Sequence, residues 1–121
     1  TGIGYRGIHG EFAESIAQSI MAGGVGSIRE IPYPAGLSRN SSTAIGVGGG
    51  TQLFLRIRAN GAKMMDGSHG YSHEQEMLLP TGSKMRVLGF TQNKQVEYYD
   101  HAGKKEGTTK VKYFVDLEHI E

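Results

Sequence analysis

An α+β domain, with one helix near its start and a sheet-dominated remainder, is what this chain predicts, on three observations. Its 121 residues include 19 glycines and no tryptophan, a turn-rich composition, since glycine suits tight turns and is costly inside helices. From residue 11 to residue 22 the apolar positions Phe12, Ala13, Ile16, Ala17 and Ile20 recur at three- and four-residue steps, as one buried stripe of a helix does. Further along, Leu53, Leu55 and Ile57 alternate with Phe54, Arg56 and Arg58, the pattern of a strand with one apolar face.

The remaining elements follow from the same rules. Residues 3–8 read as a short strand ending at Gly10, and the glycines at 23, 24 and 26 stop the helix. Two prolines break regular structure near residues 32–34, and 37–45 reads as a strand interrupted by polar residues. Gly46 to Gly50 is a flexible link, and Asn60-Gly61 closes the alternating strand with turn chemistry. After a loop-like stretch, residues 74–79 form a strand closed by Pro80-Thr81-Gly82, and residues 85–90, 96–99 and 111–117 supply three more. No repeat or linker justifies a boundary, so residues 1–121 read as one domain with a single modest core.

Composition excludes several classes. Thirteen Lys and Arg against twelve Asp and Glu give a formal charge of +1, which argues neither for nor against a nucleic-acid partner. Without cysteine there is no disulfide framework and no thiolate metal site. His69 and His73 stand four residues apart, but in a loop too glycine-rich for a helix, so no metal is expected. The glycines at 46–50 lack the lysine and following helix of a phosphate-binding loop. The lysines at 104, 105, 110 and 112 read as a solvated hairpin. No apolar run approaches the roughly 18 residues of a membrane span, so a soluble domain is expected, with any address outside this segment.

The chemistry concentrates in Tyr71-Ser72-His73-Glu74-Gln75-Glu76-Met77-Leu78-Leu79-Pro80. In an extended chain, residues two apart share a face, so Glu74 and Glu76 project together. Like charges that close repel unless positive charge lies between them. The pair therefore suits a reaction that builds up positive charge.

Three constellations fall in order: Tyr5-Arg6-Gly7, then Asn40-Ser41-Ser42-Thr43, then Glu74-Gln75-Glu76. Their order and spacing resemble the arginine, serine and glutamate signature of the mono-ADP-ribosyltransferases, in the branch of clostridial toxins and bacterial effector domains. The resemblance covers most of the chain and is strongest from Leu53 to Leu88, where an aromatic-x-x-Glu-x-Glu pattern leads into Met-Leu-Leu-Pro. It implies two small antiparallel sheets that form an NAD cleft, with one main helix. It also implies NAD as co-substrate, no metal, and transfer of ADP-ribose, with a protein arginine as the favoured acceptor. RNA or water is the alternative acceptor, and a non-catalytic β-rich binding module the rival of another class.

The resemblance also assigns roles. Arg6 would bind phosphate or a ribose oxygen through its planar fork, and the Gly7 backbone would meet the nicotinamide amide. Ser42 would hold the catalytic carboxylate in place; the triplet Ser42-Thr43-Ala44 lacks the family's third hydroxyl, and Ser41 stays open as the alternative. Glu76 would stabilise positive charge on the sugar. Glu74 would pair with an acceptor guanidinium and take its proton, and Tyr71 would help dock the target. The aromatic that many toxin relatives carry after the serine motif is replaced by Ile45-Gly46-Val47-Gly48-Gly49-Gly50, which leaves Phe54 or another residue to pack on nicotinamide. By the same resemblance the chain is expected to be the C-terminal toxin part of a longer secreted polypeptide. It would act in the cytoplasm of a target cell, and its producer would carry a cognate immunity protein.

Overall fold

Alternation in the 53–58 segment organises the core. In the computed structural model, which describes residues 2–30, 35–38, 41–45, 52–58, 63–64, 76–100 and 102–120, this segment is strand β4 (Leu53–Arg58). Leu53, Leu55 and Ile57 are buried with Ala13, Ala17 and Ile20 of helix α1 (Glu11–Gly23) in one apolar cluster. On the other face Phe54 joins Ile45, Val96, Val111 and Phe114 in a second cluster. A strand buried on both faces explains why so many of its residues are apolar.

Helix α1 is bounded by glycines at positive φ, Gly10 (85°) and Gly24 (81°), a backbone region that costs residues with a Cβ. The Gly24 N–H bonds the carbonyls of Ile20 and Met21 at 3.2 Å, which satisfies the helix end. Glu14 ties the helix to the sheet: it accepts from the Tyr113 hydroxyl at 2.8 Å and pairs with Lys112 Nζ at 3.1 Å.

The other strands are β1 (Ile3–Ile8), β2 (Ile28–Glu30), β3 (Ala35–Ser38), β5 (Lys63–Met64), β6 (Glu76–Leu79), β7 (Lys84–Tyr99) and β8 (Lys105–His119), with a short helix α2 (Ser41–Ile45). They form one eight-stranded sheet in the order β2-β7-β8-β4-β1-β3-β6-β5. All neighbours run antiparallel except β4 and β8, which are parallel. The α+β architecture with one main helix is thus what forms. Among the described residues the two expected sheets form one continuous sheet, in which β1 aligns along its whole length with β4 and, at Tyr5 and Ser38, with β3.

Four expectations are corrected. Residues 37–45 are not one strand: β3 ends at Ser38 and Ser41–Ile45 is helical. Residues 85–90 and 96–99 belong to one strand, β7, whose polar middle is held by pairing with β8. The expected loop before residue 71 contains β5, and β2 was not foreseen. Phe12 is 64% exposed rather than part of the helix's buried stripe.

Leu53→Ala, at the centre of the larger cluster, is expected to lower unfolding free energy by about 3 kcal/mol, and Phe12→Ser by less than about 0.5 kcal/mol, both read from urea denaturation. The Tyr113 hydroxyl, then Lys112, holds the Glu14 carboxyl below its usual 4.5. A depressed folded value contributes stability above pH 4.5 that is lost as pH falls through it. On acidification through that window, the wild-type urea midpoint is expected to fall further than that of Glu14→Gln.

Candidate active site

The seam between the two halves of the sheet brings the sequence motifs together. Across it, Tyr5 of β1 aligns with Ser38 of β3, and Ser38 aligns with Glu76 of β6. Directly opposed residues of antiparallel strands are neighbours on one face, so position 76 lies one strand from Ser38 and two strands, about 10 Å, from Tyr5. The row continues through Arg56 of β4 to Asp116 of β8. There the guanidinium and carboxylate form a two-pronged contact at 3.1 and 2.8 Å. Asp116 in turn favours the charged form of Arg56.

Arg6 sits beside this row on β1. Its Nη1 donates to the Gly36 carbonyl of β3 at 2.9 Å, a side-chain tie between β1 and β3. That contact engages one edge of the guanidinium and leaves its other donors for an anion or a sugar oxygen. Gly7 follows on the same strand, aligned with Phe54.

The serines divide their roles. Ser41 is 5% exposed and its Oγ accepts the Tyr99 backbone N–H at 2.8 Å, so it pins helix α2 to the end of β7. Ser42 is the next residue of that helix and half-buried. Ser38, only 8% exposed, is the serine that the strand register sets opposite Glu76. A lone serine after Leu37 carries no hydroxyl-triplet signal, so only the register points to it.

Phe54 does not offer a stacking face. It is 1% exposed, with Tyr5 at 5.7 Å and Phe114 at 6.0 Å between ring centroids. The expectation that it packs on nicotinamide is therefore corrected: its ring is a core group. Tyr71 and Glu74 lie outside the described residues. Among the described residues no three His, Asp or Glu side chains come together to hold a metal ion. No helix among them is long and apolar enough to cross a membrane.

With this geometry established, the chain compares closely with solved structures, although no family model and no curated protein sequence matches it. It superposes on the ADP-ribosyltransferase HopU1 of Pseudomonas syringae pv. tomato with a TM-score of 0.72 at 21% identity, covering 98% of this chain and 44% of that one. For the catalytic domain of VahC from Aeromonas hydrophila the TM-score is 0.65 at 19% identity, covering 98% and 60%. Exoenzyme S of Pseudomonas aeruginosa, solved with human 14-3-3 protein beta and carba-NAD, gives 0.64 at 18%, covering 97% and 47%. The chain has the ADP-ribosyltransferase-like fold of bacterial toxins and effectors. It spans about half the length of the solved structures it matches.

Ser41→Ala leaves the Tyr99 N–H without its acceptor. It is expected to cost about 1–3 kcal/mol in chemical denaturation.

Proposed function

We propose that this domain cleaves NAD and transfers its ADP-ribose to a target macromolecule, with a protein arginine as the favoured acceptor. The observation that carries the reading is the row Tyr5, Ser38, Glu76 across β1, β3 and β6, with Arg6 braced beside it. The ADP-ribosyltransferase-like fold supports it, and the donor set suits the substrate: a guanidinium fits a pyrophosphate or ribose oxygen. NAD supplies the ADP-ribosyl group and nicotinamide as the leaving group.

Each residue has a separate task. Arg6 orients the dinucleotide through charge-assisted hydrogen bonds, and the Gly7 backbone receives the nicotinamide amide. Glu76 offsets the positive charge that grows on the ribose as the bond from its anomeric carbon to the nicotinamide nitrogen breaks, the pair of electrons leaving with nicotinamide. In this reading Ser38, whose backbone is aligned with position 76, takes the task the family resemblance assigns to Ser42, donating to that carboxylate and fixing its rotamer. Glu74 pairs with the acceptor guanidinium and takes its proton as the new carbon–nitrogen bond forms, while Tyr71 docks the target.

Incubation with NAD labelled in its adenylate portion and a target-cell lysate tests the whole reading. Label on protein arginine is expected. Label on RNA, or free ADP-ribose alone, would keep the reaction and change the acceptor, and absence of turnover would leave a non-catalytic binding module. Glu76→Gln is expected to abolish NAD cleavage. Glu74→Gln should impair arginine transfer far more than NAD hydrolysis. Ser38→Ala should lower kcat roughly tenfold, the worth of one positioning hydrogen bond of about 1.4 kcal/mol, and Ser42→Ala should have a smaller effect.

A further inference from the structure

A second site lies beside α2, on the sheet face that carries Phe54. There a cavity of about 370 Å³ is lined by Tyr5, Arg56, Lys94, Tyr99 and the edge of Phe114, over the buried Phe54. Arg6, Gly7 and Ser38 do not line it, whereas Tyr5 and Arg56 of the row across β1 and β4 do. Its size falls in the range that takes small organic ligands, and an apolar floor with a few placed charges is how such sites are built.

The charges around it do not balance. Two cations meet one ring: Arg56 Cζ and Lys94 Nζ each lie 5.4 Å from the Phe114 centroid. Arg56 has its counter-ion in Asp116 at 2.8 Å. The acid on the wall, Glu97, is already engaged by the Tyr99 hydroxyl at 2.8 Å and Lys105 at 3.3 Å. Lys94 has no acidic partner among the described residues, and its ammonium contact is with the Phe114 ring. One positive charge without an acidic partner among the described residues thus stands at the exposed mouth of an aromatic cavity.

We propose that this cavity binds a small planar aromatic anion, a ring bearing one carboxylate or phosphate, whose charge pairs with Lys94 while its ring packs against Tyr5, Tyr99 and Phe114. A cationic ligand is disfavoured by the two cations already at Phe114. An extended polyanion is disfavoured because the neighbouring lysines do not form a track: Lys105 is paired with Glu97, and Lys112 with Glu14 of α1. The site is therefore scaled to a small molecule.

Phenyl phosphate and benzoate, titrated separately into the chain and followed by NMR of the aromatic side chains, test the assignment and distinguish the two head groups. At least one is expected to shift Tyr5, Tyr99 and Phe114 saturably, with benzyl alcohol, the uncharged control, binding at least tenfold more weakly. Lys94→Gln, an exposed substitution, should weaken the anion about tenfold, and Lys94→Arg should retain it. Absence of saturable shifts at these rings with both anions, equal binding of benzyl alcohol, or unchanged affinity in Lys94→Gln would overturn the proposal. The titration requires neither NAD nor turnover, so its outcome stands apart from that of the labelling assay.

Discussion

Hydrogen bonding of β1 on both of its edges is the constraint on which the rest of the structure depends. One edge is aligned with β4 through six consecutive pairs, from Ile3 opposite Arg58 to Ile8 opposite Leu53. The other edge meets β3, where Tyr5 is aligned with Ser38. The first half of the sheet is therefore anchored to the core beneath α1. The second half, β3, β6 and β5, joins the first through β1. Arg6, whose side chain reaches the Gly36 carbonyl, adds a side-chain tie across the seam between β1 and β3.

That seam also explains why the functional reading gathers there. Backbone pairing sets Tyr5, Ser38 and position 76 in one row by register alone, and a one-residue slip of β6 would send every side chain of that strand to the opposite face. Leu79, at the end of β6, is fully buried in the larger cluster. Burial of that leucine and alignment of Glu76 with Ser38 are thus the same constraint seen at two ends of one strand. Hydrophobic burial fixes the register, and the register sets the backbone of position 76 opposite Ser38.

Much of this was legible in the sequence where periodicity is long enough to read. Helix α1 and strand β4 appear where expected, because each pattern repeats over two or more turns or pleats, although β4 is buried on both faces rather than one. Phe12 escaped the stripe since an apolar residue at its margin can stand in solvent without penalty to the rest. Helix α2 was missed because five residues give no period. The middle of β7 reads as loop, since Thr91, Gln92, Asn93, Lys94 and Gln95 are all exposed, and what holds them extended is pairing with β8, a long-range partner that local pattern does not reveal.

The candidate site was legible in part for the same reason. Arg6 and the Glu-x-Glu pair stand out by type and order, whereas Ser38 became visible only when β3 was aligned between β1 and β6. A cluster of hydroxyls four residues on drew the motif to Ser42, while Ser41 serves the Tyr99 N–H instead. Phe54 was a plausible ring for a cofactor until its neighbours Tyr5 and Phe114 were seen on it. The central claim is that the seam residues Arg6, Ser38 and Glu76 together hold the ribose next to nicotinamide. A crystal structure of the domain with a non-hydrolysable NAD analogue tests it most directly. The account predicts the Glu76 carboxylate in hydrogen-bonding contact with both that ribose and Ser38 Oγ, with Arg6 on the dinucleotide; an analogue bound away from the β1–β3 seam would contradict it.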